Sequence, residues 1–138
     1  MSMQKHGSCL CGAVRVTAVF KSNKVGVCHC GMCRKWGGGP LMTVDCEPGV
    51  AFEGREHIAA FASSAWAERA FCRHCGSHLY YRLKDGDELI LSLGLFDELD
   101  DLVLDHQIFI DKKPGFYSFA NRTHTMTEAE VFAKFAPE

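Results

Sequence analysis

The sequence predicts a mainly β domain of short antiparallel strands, and three observations carry that reading. Apolar and polar residues alternate with a period of two along short runs. Clusters of glycine, proline and aspartate separate those runs at short intervals. A single segment, near the C-terminus, carries the capping signature of a helix.

Taken in order, the first strand is expected over Gly12 to Phe20, where Val14, Val16 and Ala18 share one face and Arg15 and Thr17 the other. Further β-rich runs cover Val25 to Cys28, Pro40 to Val44, Val50 to Glu53, Trp66 to Cys72, Ser77 to Leu83 and Leu89 to Phe96. The turns between them fall at "EPG" (47–49), at "KDGD" (84–87), and at Gly31, Gly54 and Gly76. After Asp97 the acidic run "DELDDLVLD" reads as a loop or a short helical turn, and His106 to Ile110 returns as a strand ended by "DKKPG". Thr127 and Glu130 have the spacing of a capping box, so a short helix follows, with Val131, Phe132 and Phe135 as its docking residues.

With 138 residues and no repeat or linker, residues 1–138 read as one domain. Hydrophobic residues at 47% and charged residues at 23% give the balance of a globular protein, and no stretch is apolar enough to span a bilayer. The N-terminal "MSMQKHGSCLCG" lacks the apolar run of a secretory signal, so a cytoplasmic location is expected. A net charge of -2 with scattered Lys and Arg argues against a nucleic-acid partner.

Eight cysteines in a reducing compartment point to metal binding or thiol chemistry, with zinc as the default metal. Seven of them fall into three groups: Cys9 and Cys11; Cys28, Cys30 and Cys33; Cys72 and Cys75. Closely spaced pairs let one short segment supply two corners of a tetrahedron, so Cys9, Cys11, Cys72 and Cys75 can close a four-thiolate structural zinc site. Cys28, Cys30 and Cys33 then have the ligand count of a site with one open position, which suggests catalysis. Spacing also leaves His29, His74 or His78 available as a fourth ligand, and leaves other pairings of the groups open. Cys46 reads as a small buried hydrophobe, Trp66 as core, and His29, His57, His74, His78 and His124 as turn or surface residues. Arg34 and Lys35 are either solvated cations or candidate contacts for an anionic small thiol, and glycines 37–39 would let backbone N–H groups approach it.

The segments "GSCLCGAV" (7–14), "CHCGMCRK" (28–35), "FCRHCGSHL" (71–79) and "HQIFIDKKPGFY" (106–117), in this order, resemble the glutathione-dependent formaldehyde-activating enzyme family, also called the centromere protein V family. The resemblance implies a β-tent fold of twisted antiparallel sheets with zinc-binding loops. It implies two zincs per chain, a structural one on Cys9, Cys11, Cys72 and Cys75 and a catalytic one on Cys28, Cys30 and Cys33. It also implies a carbon-sulfur lyase whose partners are a small thiol such as glutathione and a small aldehyde, the namesake reaction being formation of S-hydroxymethylglutathione from formaldehyde and glutathione. The alternative reading is a non-catalytic zinc protein that binds glutathione or a protein partner, and a homo-oligomer is compatible with either. The chain departs from the family at "PGFY", where many relatives place a tryptophan near Phe116.

Overall fold

The computed structural model describes residues 3–135, the side chain of Phe135 lying outside the described residues. The chain runs through β1 (Gln4–Ser8), β2 (Arg15–Val19), β3 (Lys24–Cys28), α1 (Gly31–Gly37), β4 (Leu41–Asp45), β5 (Ala51–Glu53) and β6 (Ile58–Phe61). It continues through β7 (Ala67–Cys72), β8 (His78–Leu83), β9 (Leu89–Ser92), β10 (Val103–Ile108), β11 (His124–Met126) and α2 (Glu128–Phe135). The mainly β class expected from the sequence is observed, with the short helix at its C-terminal end. No helix among the described residues is long and apolar enough to cross a membrane. The chain divides into two compact units.

The first unit draws on the chain up to Asn23 and on Thr43–Leu102. In it β2 pairs antiparallel with β1 on one side and β5 on the other. The predicted alternation along β2 holds: Val16 and Ala18 are buried while Arg15 and Val19 face solvent. A second antiparallel array runs β4, β9, β8, β7, β6. The core of the unit gathers Val14, Val16, Phe20, Val44, Leu79, Leu91 and Phe96, with Phe20 and Phe96 packed edge to face at 4.9 Å. Cys46 is 2% exposed and joins this core, as its apolar character dictates. Lys5 is 5% exposed, and its ammonium donates to both Asp101 oxygens at 3.0 Å, which is how a buried cation is tolerated.

The second unit draws on Lys24–Met42 and on the chain from Val103 onward. Here β10 lies between β3 and β11, and both pairings are parallel. The sequence reading expected a mainly antiparallel domain, which the first unit bears out, and these two pairings depart from it. A period of two reports which face a side chain takes and carries no information on strand direction, and parallel pairing requires long connections of the kind that separate these strands. β10 starts at Val103, inside the acidic run expected to be a loop, and stops at Ile108. Phe109 has φ 56°, and Ile110–Lys112 forms a 3-10 turn. The capping box is observed: the Glu130 N–H donates to Thr127 Oγ1 at 3.2 Å and the Thr127 N–H donates to Glu130 Oε1 at 3.0 Å. Val131 is buried and Phe132 packs edge-on to Phe109 at 5.8 Å.

Two placements differ from expectation. Trp66, expected in the core, is 46% exposed. His29, expected at a turn or the surface, is fully buried at 0%. β1, β6, β11 and α1 were not anticipated, because each is short or rich in glycine and alanine and shows no clear period.

Candidate metal centre

In the first unit, Cys9 and Cys11 occupy the turn after β1, while Cys72 ends β7 and Cys75 sits in the turn that follows it. Each turn closes on a glycine in the left-handed region, Gly12 at φ 80° and Gly76 at φ 78°, a conformation L side chains resist. The Gly12 N–H donates to the Cys9 carbonyl at 3.1 Å and the Gly76 N–H to the Cys72 carbonyl at 2.8 Å, so both turns have the same closure. The Ser77 hydroxyl joins the two turns, accepting from the Leu10 N–H at 3.0 Å and lying 3.2 Å from Cys75 Sγ. The Val14 N–H donates to Cys9 Sγ at 3.3 Å.

These turns bring the four sulfurs within 4.8 Å of one another. Cys9 Sγ and Cys11 Sγ are 3.7 Å apart, and Cys11 Sγ and Cys72 Sγ 3.8 Å apart, far longer than a disulfide. A tetrahedron of sulfurs at about 2.3 Å from a central zinc has edges of about 3.8 Å, so the cluster fits that ion. Hydrogen bonds from the Ser77 hydroxyl and backbone lower the pKa of Cys75 to about 5, which favours a thiolate ligand there.

In the second unit, Cys28 ends β3, Cys30 caps the N-terminus of α1 and Cys33 lies in its first turn. Cys30 has extended backbone (φ -63°, ψ 157°), and its sulfur accepts from the Cys33 N–H at 3.3 Å. The cap therefore aims the Cys30 sulfur at the helix end that carries Cys33. The three sulfurs lie within 4.8 Å of one another, and no fourth ligating atom joins them among the described residues. Hydrogen bonding to Cys30 and Cys33, together with burial, pushes the Cys28 thiol pKa up. Three crowded thiolates need a compensating cation, and an all-sulfur set of this kind suits zinc.

His29, left open as a fourth ligand by spacing, is engaged elsewhere. Its Nε2 is 2.7 Å from Gln107 Oε1 and its Nδ1 is 2.8 Å from the Tyr117 hydroxyl. Gln107 is itself buried and donates through Nε2 to Thr123 Oγ1 at 2.9 Å. Burial lowers the pKa of His29 from its ordinary value. The sequence reading missed Gln107, Tyr117 and Thr123. The available signal was a histidine between two closely spaced cysteines, Cys28 and Cys30.

Arg34 and Lys35, the candidate substrate cations, stand on α1. Arg34 Nε donates to the His29 carbonyl at 2.9 Å, and the helix ends at Gly38 (φ 84°), whose N–H donates to the Arg34 carbonyl. The same unit contains a cleft of about 420 Å³. Arg34, Lys35, Gly38 and Gly39 line it, together with Phe116 and Tyr117. Gly31, next to Cys30 in the chain, also lines it, although Cys28, Cys30 and Cys33 themselves do not. Of the three glycines singled out in the sequence, Gly37 is not part of this lining. A larger cleft of about 650 Å³ lies in the first unit, lined by Phe52, Arg55, Tyr80 and Arg82 among others, and none of the seven clustered cysteines borders it. Cys46 does border it, with a pKa pushed up by burial to about 12, so its thiol is unreactive.

A mainly β fold carrying two all-cysteine clusters, each able to hold a metal ion, defines a class of small metal-binding β protein. A family model described as glutathione-dependent formaldehyde-activating enzyme matches residues 4–112, and the chain belongs to that family. It is 36% identical over 126 residues to a protein of Schizosaccharomyces pombe (strain 972 / ATCC 24843) named an uncharacterized lyase, covering 91% of this chain and 92% of that protein. The crystal structure of a Rhodobacter sphaeroides protein shares the fold with a TM-score of 0.60 at 20% identity, over 69% of this chain and 90% of that one.

Proposed function

We propose that the chain is a zinc-dependent carbon-sulfur lyase acting on adducts of small thiols, of which S-hydroxymethylglutathione, from formaldehyde and glutathione, is the one its family name suggests. The lyase-named relative supports the reaction class. The observation that carries the reading is the cluster of three sulfurs, with no fourth protein ligand among the described residues, on the same segment whose Gly31, Arg34 and Lys35 line a cleft.

In this reading Cys28, Cys30 and Cys33 hold the catalytic zinc, and Cys9, Cys11, Cys72 and Cys75 hold the structural one. A thiol adds to a carbonyl as its thiolate, and free thiols of pKa near 8.5 are mostly protonated at pH 7. Cys28, Cys30 and Cys33 would hold the zinc, which when bound would stabilise a sulfur anion, the charge a carbon-sulfur bond releases on breaking and consumes on forming. Arg34 and Lys35 pair with the carboxylates of the thiol, and Gly38 and Gly39 place no side chain in the way of its approach. The Arg34 bond to the His29 carbonyl fixes that guanidinium relative to the cysteine segment.

The test is the rate of formaldehyde and glutathione condensation, or its reversal, above the uncatalysed rate. Wild-type protein is expected to accelerate it, and Cys30→Ser to lose at least about a hundredfold, the scale on which removing one charge-stabilising group acts. Equilibrium binding of glutathione with no acceleration would instead favour the non-catalytic zinc protein.

A further inference from the structure

The cleft of about 650 Å³ lies within the first unit and borders none of the clustered cysteines, so the lyase reading makes no use of it. Its lining draws on both strand arrays of that unit, Phe52 from β5 and Tyr80 and Arg82 from β8. Residues two apart on a strand share a face, which is why Tyr80 and Arg82 both reach it. The rings of Phe52 and Tyr80 are half-buried and lie 5.6 Å apart at a tilt of 42°, so the pair forms an aromatic surface in the lining. Arg55 opens the 3-10 turn that follows β5, and its guanidinium stands over the Phe52 ring at 5.6 Å.

The charged groups of the lining divide by whether the fold already pairs them. Lys21 is paired with Glu88, while Arg82 donates to Glu68 Oε1 at 2.9 Å and to the Gly86 carbonyl at 3.2 Å. Among the described residues Arg55, Glu47 and Asp87 make no ion pair, and all three are exposed in the lining. A guanidinium stacked on a ring keeps its planar fork of donors for a carboxylate, and a carboxylate answers an ammonium. A purely anionic ligand meets Glu47 and Asp87, a purely cationic one meets Arg55, and like charges brought together weaken binding. A zwitterion with an aromatic body satisfies all of these groups at once, and the volume falls within the range of about 300–1,000 Å³ usual for small-molecule sites. We propose that this cleft is a second ligand site that takes a zwitterionic aromatic amino acid, with its carboxylate on Arg55, its ammonium answered by Glu47 and Asp87, and its ring against Phe52 and Tyr80. The site is independent of the lyase reading.

The experiment is calorimetric titration of the full zinc-loaded chain with L-phenylalanine as probe. Saturable binding is expected with Kd below about 10 mM. Three analogues each remove one feature: 3-phenylpropionate lacks the ammonium, phenethylamine the carboxylate and glycine the ring. Each is expected to bind at least about tenfold more weakly. Arg55→Ala, at an exposed position that the fold does not depend on, is expected to weaken L-phenylalanine by about tenfold, and Phe52→Leu by about fivefold. No saturable binding of L-phenylalanine to the wild type up to about 10 mM would overturn the site. Equal affinity for L-phenylalanine and either singly charged analogue would overturn the zwitterion class, and equal affinity for glycine would overturn the aromatic one. Wild-type affinity retained in Arg55→Ala would place the ligand outside this cleft and overturn the assignment.

Discussion

The two cysteine clusters share a ligand chemistry and differ in how the chain assembles them. In the first unit, two glycine-closed turns, whose cysteines lie 61 residues apart between Cys11 and Cys72, meet through Ser77 and place four sulfurs together. In the second unit, one strand end and one helix cap place three sulfurs from a single short segment. A long-range cluster ties distant parts of a chain, so its loss releases them. A local cluster ties almost nothing that the backbone does not already join, so it is free to serve a ligand. Four sulfurs fill a tetrahedron and three leave it open, and ligand count and chain topology therefore both support the division of labour proposed for them.

The largest effect that can break this comparison is on stability. Structural zinc contributes on the order of 10 kcal/mol in small domains, comparable to the whole stability of a fold of this size. Cys72→Ser, at a position 0% exposed, is expected to abolish the cooperative thermal melt, whereas Cys30→Ser keeps it and lowers the zinc content from two to one per chain. Equal damage from the two substitutions would erase the distinction between the clusters.

A smaller effect sharpens the role of the cleft beside the three cysteines. Lys35→Ala is expected to raise KM for glutathione by about tenfold with kcat within about twofold, since a cation that holds a carboxylate in ground and transition states alike contributes uniform binding. Lys35 is a cleaner probe than Arg34, which also carries the bond to the His29 carbonyl. Steady-state kinetics at two ionic strengths checks it, the KM difference narrowing as salt rises.

The smallest effect asks whether the four-cysteine unit has anchors independent of its sulfurs. The ammonium of buried Lys5, through its hydrogen bonds, holds the Asp101 carboxyl below its ordinary value of 3.8. A carboxyl depressed in the folded state contributes stability that is fully present above its unfolded pKa and lost as pH falls through the folded one. Wild type is therefore expected to be more stable than Asp101→Asn at pH 7, with the gap closing below about pH 4. Denaturant melts of both proteins across that range measure the gap. A gap that persists unchanged at low pH would mean that the ion pair is not its source.

Much of this architecture was legible in the residues themselves. The alternation along β2 and the Thr127 to Glu130 capping box are local rules, and local rules survive into the fold. Strand direction was not legible: the parallel pairing of β10 with β3 and β11 depends on where long connections lead. Trp66 misled because apolar character permits burial without enforcing it, and its place at the start of β7 leaves it half exposed.

The sequence by itself determined the three closely spaced cysteine groups, because the reach between sulfurs on one tight turn follows from one- and two-residue spacings, while which groups meet was decided by the tertiary structure. It also determined the cations and glycines that follow Cys33. Only the tertiary structure decided that His29 faces Gln107, 78 positions away, and Tyr117, 88 positions away, in place of solvent or a metal. Hydrogen bonds over such separations are set by packing, and packing has no short-range signature.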